Sequence, residues 1–258
     1  NRQNNFMKKL ISLFLFAWSV NPLWAAKQYN VLFIISDDLT STALSCYGNT
    51  VCRTPNIDAL AAKGTRFTRA YCQGTYCGPS RASFMSGYYP HATGVLGYKS
   101  PRPQIGDRAT WSQYFMNHGY HAARVSKIYH MGVPGGIEQG GHGADDAASW
   151  NERYNSPGPE WRAPGKGETL QGNPDGKRPV VGGNTFVVVE AEGGDLVPSD
   201  GKTAVKAAEL IDKFSKQDKP FFLGVGFVRP HVPFAAPQKY YEPLLPHSTM
   251  QLPPRPAG

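Results

Sequence analysis

Two long apolar runs constrain the fold of this chain more than any other feature. Residues Tyr29–Ser36 read Tyr-Asn-Val-Leu-Phe-Ile-Ile-Ser, and residues Phe221–Phe227 read Phe-Phe-Leu-Gly-Val-Gly-Phe. A strand with one solvated face alternates apolar and polar residues, whereas these runs are almost continuously apolar. Each run therefore predicts a strand that is buried on both faces, which is typical of a parallel sheet covered by helices.

The segments between these runs predict helices that alternate with further strands. Thr54 is a preferred N-cap and Pro55 a preferred first residue of a helix, which we expect to end near Gly64. Thr110 caps a second helix, which Gly119 ends. We expect the remaining elements to be strands at Thr65–Tyr71, Tyr120–Ser126 and Asn184–Glu190, and a helix at Lys202–Lys216.

The alternation of strands and helices predicts an α/β fold with a mixed, mostly parallel sheet flanked by helices. The helices should cover the sheet with their apolar positions. In the second helix these are Trp111, Tyr114 and Phe115, and in the last helix, which Asp200 caps, they are Ala204, Ala207, Ala208, Ile211 and Phe214.

Polar residues follow three of the predicted strands at their carboxyl ends, where open α/β sheets bind ligands. Asp37 and Asp38 follow the first strand, Lys127 and His130 follow Tyr120–Ser126, and His231 follows the last strand. Two adjacent carboxylates are hard oxygen ligands suited to Ca²⁺ or Mg²⁺. Taken singly, each group is more often a solvated turn or loop residue, so the shared position beyond the strands carries the prediction.

A cysteine precedes a short helical segment in the sequence Cys-Gly-Pro-Ser-Arg. Pro79 suits the first turn of a helix, Ser80–Ser86 can continue it, and Gly87 can end it. Cys77 would then lie at the helix N-terminus, where negative charge is favoured, with Arg81 one turn further on. The alternative for Cys77 is a buried thiol or half of a disulfide. A thiol, a helix N-terminus and a guanidinium together favour an anionic substrate.

These motifs resemble the type I sulfatase family. Cys77–Gly87 resembles its signature, and the similarity extends over about Tyr29–Pro254, closest to the iduronate-2-sulfatase-like branch. The passages that carry it include Thr-Pro-Asn-Ile-Asp-Ala-Leu-Ala from Thr54, the Lys-x-x-His step to His130, and x-Pro-His-x-Pro-Phe around His231. The resemblance implies an alkaline phosphatase-like fold and the hydrolysis of sulfate monoesters, with a sulfated carbohydrate as the substrate.

The resemblance also implies roles for individual residues. A formylglycine-generating enzyme would convert Cys77 to Cα-formylglycine, whose hydrate attacks sulfur, and a divalent cation, Ca²⁺ or Mg²⁺, would bind Asp37, Asp38 and residue 77. Arg81 and Lys127 would offset charge on the sulfuryl oxygens. His231 would protonate the leaving alcohol, and His130 would take a proton from the second hydroxyl of the hydrate so that sulfate leaves.

The family pattern is incomplete in this sequence. A second metal-binding pair and a second sulfate-binding lysine, which relatives carry further downstream, have no match before Gly258. We therefore expect the chain to be the amino-terminal part of a sulfatase catalytic domain, truncated and inactive alone. The alternative is a natural half-enzyme with an incomplete cation site.

The first 26 residues have the composition of an export signal. Met7 is followed by two lysines, the apolar run Leu10–Val20 and the small residues Ala25 and Ala26. The apolar run is too short for a membrane span, which needs about 20 residues. We expect residues 1–26 to be upstream residues plus a secretory signal peptide, residues 27–258 to belong to the catalytic domain, and the mature protein to be periplasmic or extracellular without stable membrane insertion.

The composition leaves few other classes of partner. The formal net charge is +8, but no basic run or nucleic-acid motif occurs, so we expect no nucleic-acid partner. The spacing of Cys46, Cys52, Cys72 and Cys77 does not match a zinc site, and if Cys77 is modified at most one intramolecular disulfide remains.

Three alternative functions stay open: a phosphodiester or phosphonate monoester hydrolase of the same superfamily, a non-catalytic sulfated-glycan-binding protein, and a disulfide-stapled structural domain.

Overall fold

The computed structural model describes residues 28–133, 135–169 and 186–244. The expected signal peptide and the first two residues of the expected strand Asn184–Glu190 lie outside these residues. Within them, no helix is long and apolar enough to cross a membrane.

The central element is a four-stranded parallel sheet. Its strands are β1, Val31–Ser36; β2, His121–Ser126; β3, Glu152–Tyr154; and β6, Phe221–Phe227, in the order β1-β6-β2-β3. A second sheet holds β4, Gly165–Thr169; β5, Val187–Ala191; and β7, Phe234–Pro237, with β4 antiparallel and β7 parallel to β5. The mixed, mostly parallel α/β fold is confirmed, and the separate second sheet was not predicted.

Seven α-helices connect the strands in the described residues. They are α1, Pro55–Lys63; α2, Cys77–Ser86; α3, Pro90–Thr93; α4, Arg102–Ile105; α5, Trp111–Asn117; α6, Gly135–Glu138; and α7, Ser199–Ser215. Short 3₁₀ turns lie at Ser41–Ala43, Ser45–Tyr47, Ala147–Ser149, Gln238–Tyr240 and Glu242–Leu244. The predicted cap of α5 is confirmed, because the Thr110 side chain and Gln113 form a reciprocal capping box.

The sheet has an apolar cluster on each face, as the two-residue period of a strand requires. Phe221, Leu223 and Val225 of β6 face α7, where they pack with Leu210 and Phe214. The opposite cluster consists of Met85, Ala122, Ile128, Tyr129, Trp150 and Phe222, with Phe33, Trp111 and Phe115 packed against it. Burying a large apolar side chain of this kind contributes about 1.5–3 kcal/mol, so these clusters fix the strand ends that carry the polar residues.

Two expectations about strands are wrong. β1 is not buried on both faces, because Leu32 and Ile34 on one face are 46% and 53% exposed. β1 is also an edge strand of the described sheet and pairs only with β6. Thr65–Tyr71 is not a strand: the segment has no ladder partner among the described residues, and Phe67 is exposed. A sequence pattern reports which residues are apolar, but pairing depends on a neighbour that the pattern does not name.

Helix α7 packs on the sheet through Ala207, Ile211 and Phe214, as predicted, but two predicted alanines face outward. Ala204 and Ala208 are exposed, whereas Thr203 and Leu210 are buried together with Ala207. Tyr114 of α5 is likewise 57% exposed, although Trp111 and Phe115 pack into the core as expected. Alanine fits a helix surface as well as a core, so alanines set the phase of an apolar stripe poorly.

Candidate active site

The structure brings five of the predicted site residues to one edge of the sheet. Asp37 follows β1, Lys127 and His130 follow β2, and Cys77 and Arg81 lie on the first turns of α2. Their side chains are linked by an ion-pair cluster and by a contact between Cys77 and His130. The seven predicted residues also include Asp38 and His231, which lie beside this cluster.

Helix α2 begins at Cys77, and Tyr76 before it has extended backbone. Gly87 ends the helix in the left-handed conformation, as predicted. A Cβ at Gly78 would lie 2.3 Å from the carbonyl oxygen of Gly97, so only glycine allows the 97–98 segment to approach the helix start this closely. The start of α2, which presents Cys77, is thus held close to the 97–98 segment, and Gly87 sets the end of the helix.

The Cys77 thiol is not an activated thiolate. Burial raises its pKa above the ordinary value of 9.0, although the positive charges of Lys127 and Arg81 act in the opposite direction. A backbone hydrogen bond from Gly78 at the helix N-terminus also acts to lower the pKa of this thiol, but burial outweighs it. Its Sγ lies 3.1 Å from Nδ1 of His130 and is in no disulfide. Cys46, Cys52 and Cys72 are also free thiols.

Asp37 is the buried anion of the cluster. Its carboxylate contacts the Arg81 guanidinium at 2.8 Å and also pairs with the Lys127 ammonium. Burial raises the pKa of Asp37, but the two cations outweigh this effect and lower it to about 2. Two cations around one carboxylate leave the cluster with one excess positive charge next to Cys77.

Lys127 is fully buried at the end of β2. Burial lowers its pKa, and the neighbouring Asp37 carboxylate opposes that shift. Its backbone N–H donates to the Gly226 carbonyl at 3.2 Å, and a Cβ at Gly226 would lie 2.0 Å from the Lys127 oxygen. The glycine in β6 therefore allows the lysine to approach the neighbouring strand.

Arg81 fixes the backbone that follows β2. One guanidinium nitrogen donates to the carbonyls of Lys127 and Ile128 at 2.6 and 2.8 Å, and the other contacts Asp37. The side chain is 2% exposed. Arg81 thus ties the ends of β1 and β2 to α2, while its charge contributes to the positive potential at Cys77.

His130 lies between Cys77 and an aromatic ring that the sequence did not point to. Tyr98 stacks on the imidazole with ring centroids 4.1 Å apart and an interplanar angle of 19°. Burial, reinforced by the charges of Lys127 and Arg81, lowers the pKa of His130 to about 4. The imidazole is therefore neutral at physiological pH. No motif surrounds Tyr98, so a single sequence gives no signal for it.

His231 faces Asp38 on the other side of Cys77. Its Nδ1 lies 2.5 Å from the Val232 carbonyl, and because a carbonyl only accepts, Nδ1 carries the proton. Nε2 then has a free lone pair, 4.0 Å from Asp38 Oδ2. Burial lowers the pKa of His231, and the charge of Lys127 adds to the effect. Asp38 has a positive φ of 61°, and its side chain is 60% exposed.

The residues fit a divalent cation in chemistry but not in number. Asp37 and Asp38 offer carboxylate oxygens, the ligands that Ca²⁺ and Mg²⁺ prefer. Both oxygens of Asp37 contact a cationic side chain. No group of three histidine, cysteine or acidic side chains in the described residues could hold a metal ion.

Two clefts open next to Cys77. A small one of about 240 Å³ lies over Asp37, Asp38 and Arg81. A larger one of about 680 Å³ extends from Cys77 and His231 and is walled by Tyr76, Tyr98, Phe186 and Phe234. Substrate sites are concave, largely apolar and carry a few convergent polar groups, and here a small cleft over charged side chains adjoins a larger aromatic cleft.

The half-buried thiol of Cys77, the cationic cluster and the two histidines define the candidate site, and comparison with known proteins identifies the family of the chain. A family model described as Sulfatase matches residues 29–244, and the chain belongs to the sulfatase family. It is 35% identical over 228 residues to iduronate 2-sulfatase of Homo sapiens, an alignment that covers 88% of this chain and 39% of that protein. The chain spans about two fifths of the length of this relative.

Solved structures of low identity share the fold. A protein in complex with its substrate D-glucosamine-2-N,6-O-disulfate matches with a TM-score of 0.55 and 20% identity, covering 88% of this chain and 39% of that chain. The phosphonate monoester hydrolase of Agrobacterium radiobacter matches with a TM-score of 0.56 and 24% identity, covering 84% and 44%. One scaffold thus occurs in proteins with different activities, so the chemistry has to be inferred from the site.

Proposed function

We propose that the protein hydrolyses sulfate monoesters of a sulfated carbohydrate, with residue 77 converted to formylglycine. The observation that carries the proposal is the position of Cys77, at a helix N-terminus and 3.1 Å from a neutral His130. A thiol with a raised pKa is a poor nucleophile at neutral pH. Conversion by a formylglycine-generating enzyme removes this difficulty, and the Sγ position then marks where the reactive group of residue 77 lies.

The cationic cluster binds and orients the sulfate group. Lys127 and Arg81 together outweigh the single buried charge of Asp37, so the cleft beside residue 77 attracts an anion. Preorganised positive charge of this kind stabilises the charge that develops on the sulfuryl oxygens. Because these side chains are fixed by backbone contacts and packing, little reorganisation is needed during the reaction.

The two histidines divide the proton transfers. Neutral His130 adjoins residue 77 and accepts a proton from its reactive group at the imidazole nitrogen that faces it. His231 holds its Nδ1 proton on Val232, so it acts as an acid towards the leaving alcohol only after Nε2 has gained a proton. The nearby Asp38 carboxylate favours that protonated form.

Asp37 and Asp38 would hold a divalent cation, Ca²⁺ or Mg²⁺, together with residue 77. When bound, the cation supplies Lewis-acid polarisation of the reacting oxygens. The aromatic cleft beside Cys77 is the place for the sugar of the leaving group, because flat rings offer an apolar surface while their edges leave room for hydroxyl groups.

The remaining parts of the proposal concern the protein's location. Residues 1–26 would direct export, and the mature enzyme would act on extracellular or periplasmic glycans.

The similarity to iduronate 2-sulfatase favours a sulfated glycan as the substrate, and the glucosamine disulfate in a structural relative is an example of such a substrate. A phosphodiester or phosphonate hydrolase is the competing activity, since the fold is shared with a phosphonate monoester hydrolase.

The test compares three substrates with the full-length enzyme produced together with a formylglycine-generating enzyme. We expect release of sulfate from an aryl sulfate and from a sulfated disaccharide, and much slower turnover of an aryl phosphodiester. A Cys77→Ala variant is the control for background activity. Preferential turnover of the phosphodiester would replace the proposal with the competing activity, and binding of the disaccharide without any turnover would replace it with a glycan-binding role.

A further inference from the structure

The carboxylate of Asp200 lies at the start of α7 but does not cap this helix. Its Oδ1 accepts the backbone N–H of Val228 and its Oδ2 accepts the N–H of Arg229, each at 2.8 Å. One side chain thus accepts hydrogen bonds from two successive backbone N–H groups where the chain leaves β6. Carboxylate–amide hydrogen bonds are charge-assisted and stronger than neutral ones, so they fix the direction in which the following loop departs.

The loop that Asp200 holds through these two hydrogen bonds carries His231. The His231 N–H donates to the Val228 carbonyl at 2.9 Å, which closes a turn on the residue that Asp200 holds. The Arg229 side chain then donates to the carbonyls of His231 at 2.5 Å and Ala235 at 3.1 Å. Both the backbone and the side chain of Arg229 therefore act on the position of the histidine.

The other end of Arg229 is anchored to the same helix. Its guanidinium pairs with the fully buried carboxylate of Glu160. Glu160 in turn accepts the Ser199 hydroxyl at 2.9 Å. Ser199 and Asp200, neighbours on α7, thus hold the guanidinium and the amide of one arginine, and the helix acts as the fixed support of the loop.

We propose that Asp200 is a positioning residue that sets the orientation of the His231 ring. Through the two amides it keeps the loop where the Nδ1 proton meets the Val232 carbonyl, which leaves Nε2 free to face Asp38. The inference rests on the proposed function, because the orientation matters to turnover only if His231 transfers a proton there. A misplacement of about 1 Å at such a group costs roughly 10²-fold in rate.

The experiment compares Asp200→Ala with Asp200→Asn in the full-length enzyme. Asn retains one carbonyl oxygen and so accepts one of the two amide hydrogen bonds, whereas Ala removes both acceptors. Asp212→Ala is the matched control on the same helix, since Asp212 is exposed and pairs only with Lys216 among the contacts of the described residues. The readouts are kcat and KM on an aryl sulfate, hydrogen exchange of the Val228 and Arg229 amides, and the ¹⁵N shifts of the His231 ring, which report its tautomer.

For Asp200→Ala we expect kcat to fall about 10²-fold with KM changed by less than about threefold, faster exchange of both amides, and a mixture of His231 tautomers. Asp200→Asn should recover at least about tenfold of the lost kcat, and Asp212→Ala should match the wild type. If Asp200→Ala does not fold, Asp200→Asn decides through the same readouts: one amide exchanges faster, kcat falls by a smaller factor, and the Nδ1-protonated tautomer remains dominant.

Two results would overturn the inference. One is an unchanged tautomer and unchanged exchange in Asp200→Ala, and the other is equal losses of kcat in Asp200→Ala and Asp212→Ala. The ring shifts and exchange rates are measured without turnover. If the wild-type enzyme hydrolyses no sulfate ester, the proposed function fails while these readouts still decide whether Asp200 orients His231.

Discussion

Replacing Arg81 by methionine should destabilise the protein far more than removing an exposed arginine from a similar ion-pair cluster. The substitution keeps an unbranched side chain of similar length but removes the contact with Asp37 and the two hydrogen bonds to the Lys127 and Ile128 carbonyls. Asp37 retains Lys127 as its remaining cation. The affected groups are buried, so water does not replace the lost partners.

The expected magnitude follows from these contacts. Breaking a buried ion pair by removing one partner costs about 3–5 kcal/mol, and each buried carbonyl left without a donor costs about 1–3 kcal/mol. Because Lys127 still offsets the charge of Asp37, we expect a total near the lower end of these contributions, about 5 kcal/mol. With a urea m-value of about 2 kcal/mol per molar, the midpoint of unfolding should fall by about 2.5 M at unchanged m.

The matched control is Arg153→Met. Asp145 also contacts two arginines, but Arg153 is 31% exposed and lies 3.3 Å away, while the buried Arg124 remains. Its removal should cost less than about 1 kcal/mol, the value for exposed pairs. Urea unfolding followed by tryptophan fluorescence measures both variants. Equal shifts of the two midpoints would refute the account of Arg81 as the tie between the strand ends and α2.

Three further predictions concern other parts of the structure. Burial raises the pKa of Glu152, but hydrogen bonds from Tyr154 and Lys213 outweigh burial and lower the pKa. The stability that Glu152 contributes is therefore present above pH 4.5 and is lost as the pH falls below that value. Glu152→Gln should flatten the plot of unfolding free energy against pH in that window. Gly78→Ala should cost about 1–3 kcal/mol because its Cβ meets a carbonyl at 2.3 Å, whereas Gly97→Ala, with open space, should cost less when both are compared by thermal unfolding. Asp38→Asn should weaken calcium binding in calorimetry and turnover together, and unchanged values of both would remove Asp38 from the cation site.

The strands at the centre of the fold follow from sequence because their signal is local. Phe221–Phe227 is a strand over the predicted residues, and β2 begins one residue later than predicted. Central strands satisfy both faces and both edges, so an unbroken apolar run has few other stable solutions. β1 shows the limit, since its run is equally apolar but its outer face is exposed in the described sheet.

The candidate site follows from sequence only where strand ends converge. Asp37 and Lys127 follow two strands of the parallel sheet at the same end, and they form an ion pair there. Cys77, on α2, contacts His130 beyond the same strand as Lys127. The directions of the side chains did not follow. Asp200 resembled a helix cap but bonds the amides after β6, and Tyr98 is defined by stacking that depends on tertiary packing.

The central claim is that residue 77 carries an aldehyde in the active enzyme. The most direct measurement is mass spectrometry of the peptide that contains Cys77, taken from full-length enzyme with measured aryl sulfatase activity and repeated after hydrazide labelling. We predict that the converted fraction of residue 77 rises in proportion to the specific activity among preparations made with and without a formylglycine-generating enzyme. An unmodified thiol at Cys77 in fully active enzyme would contradict it.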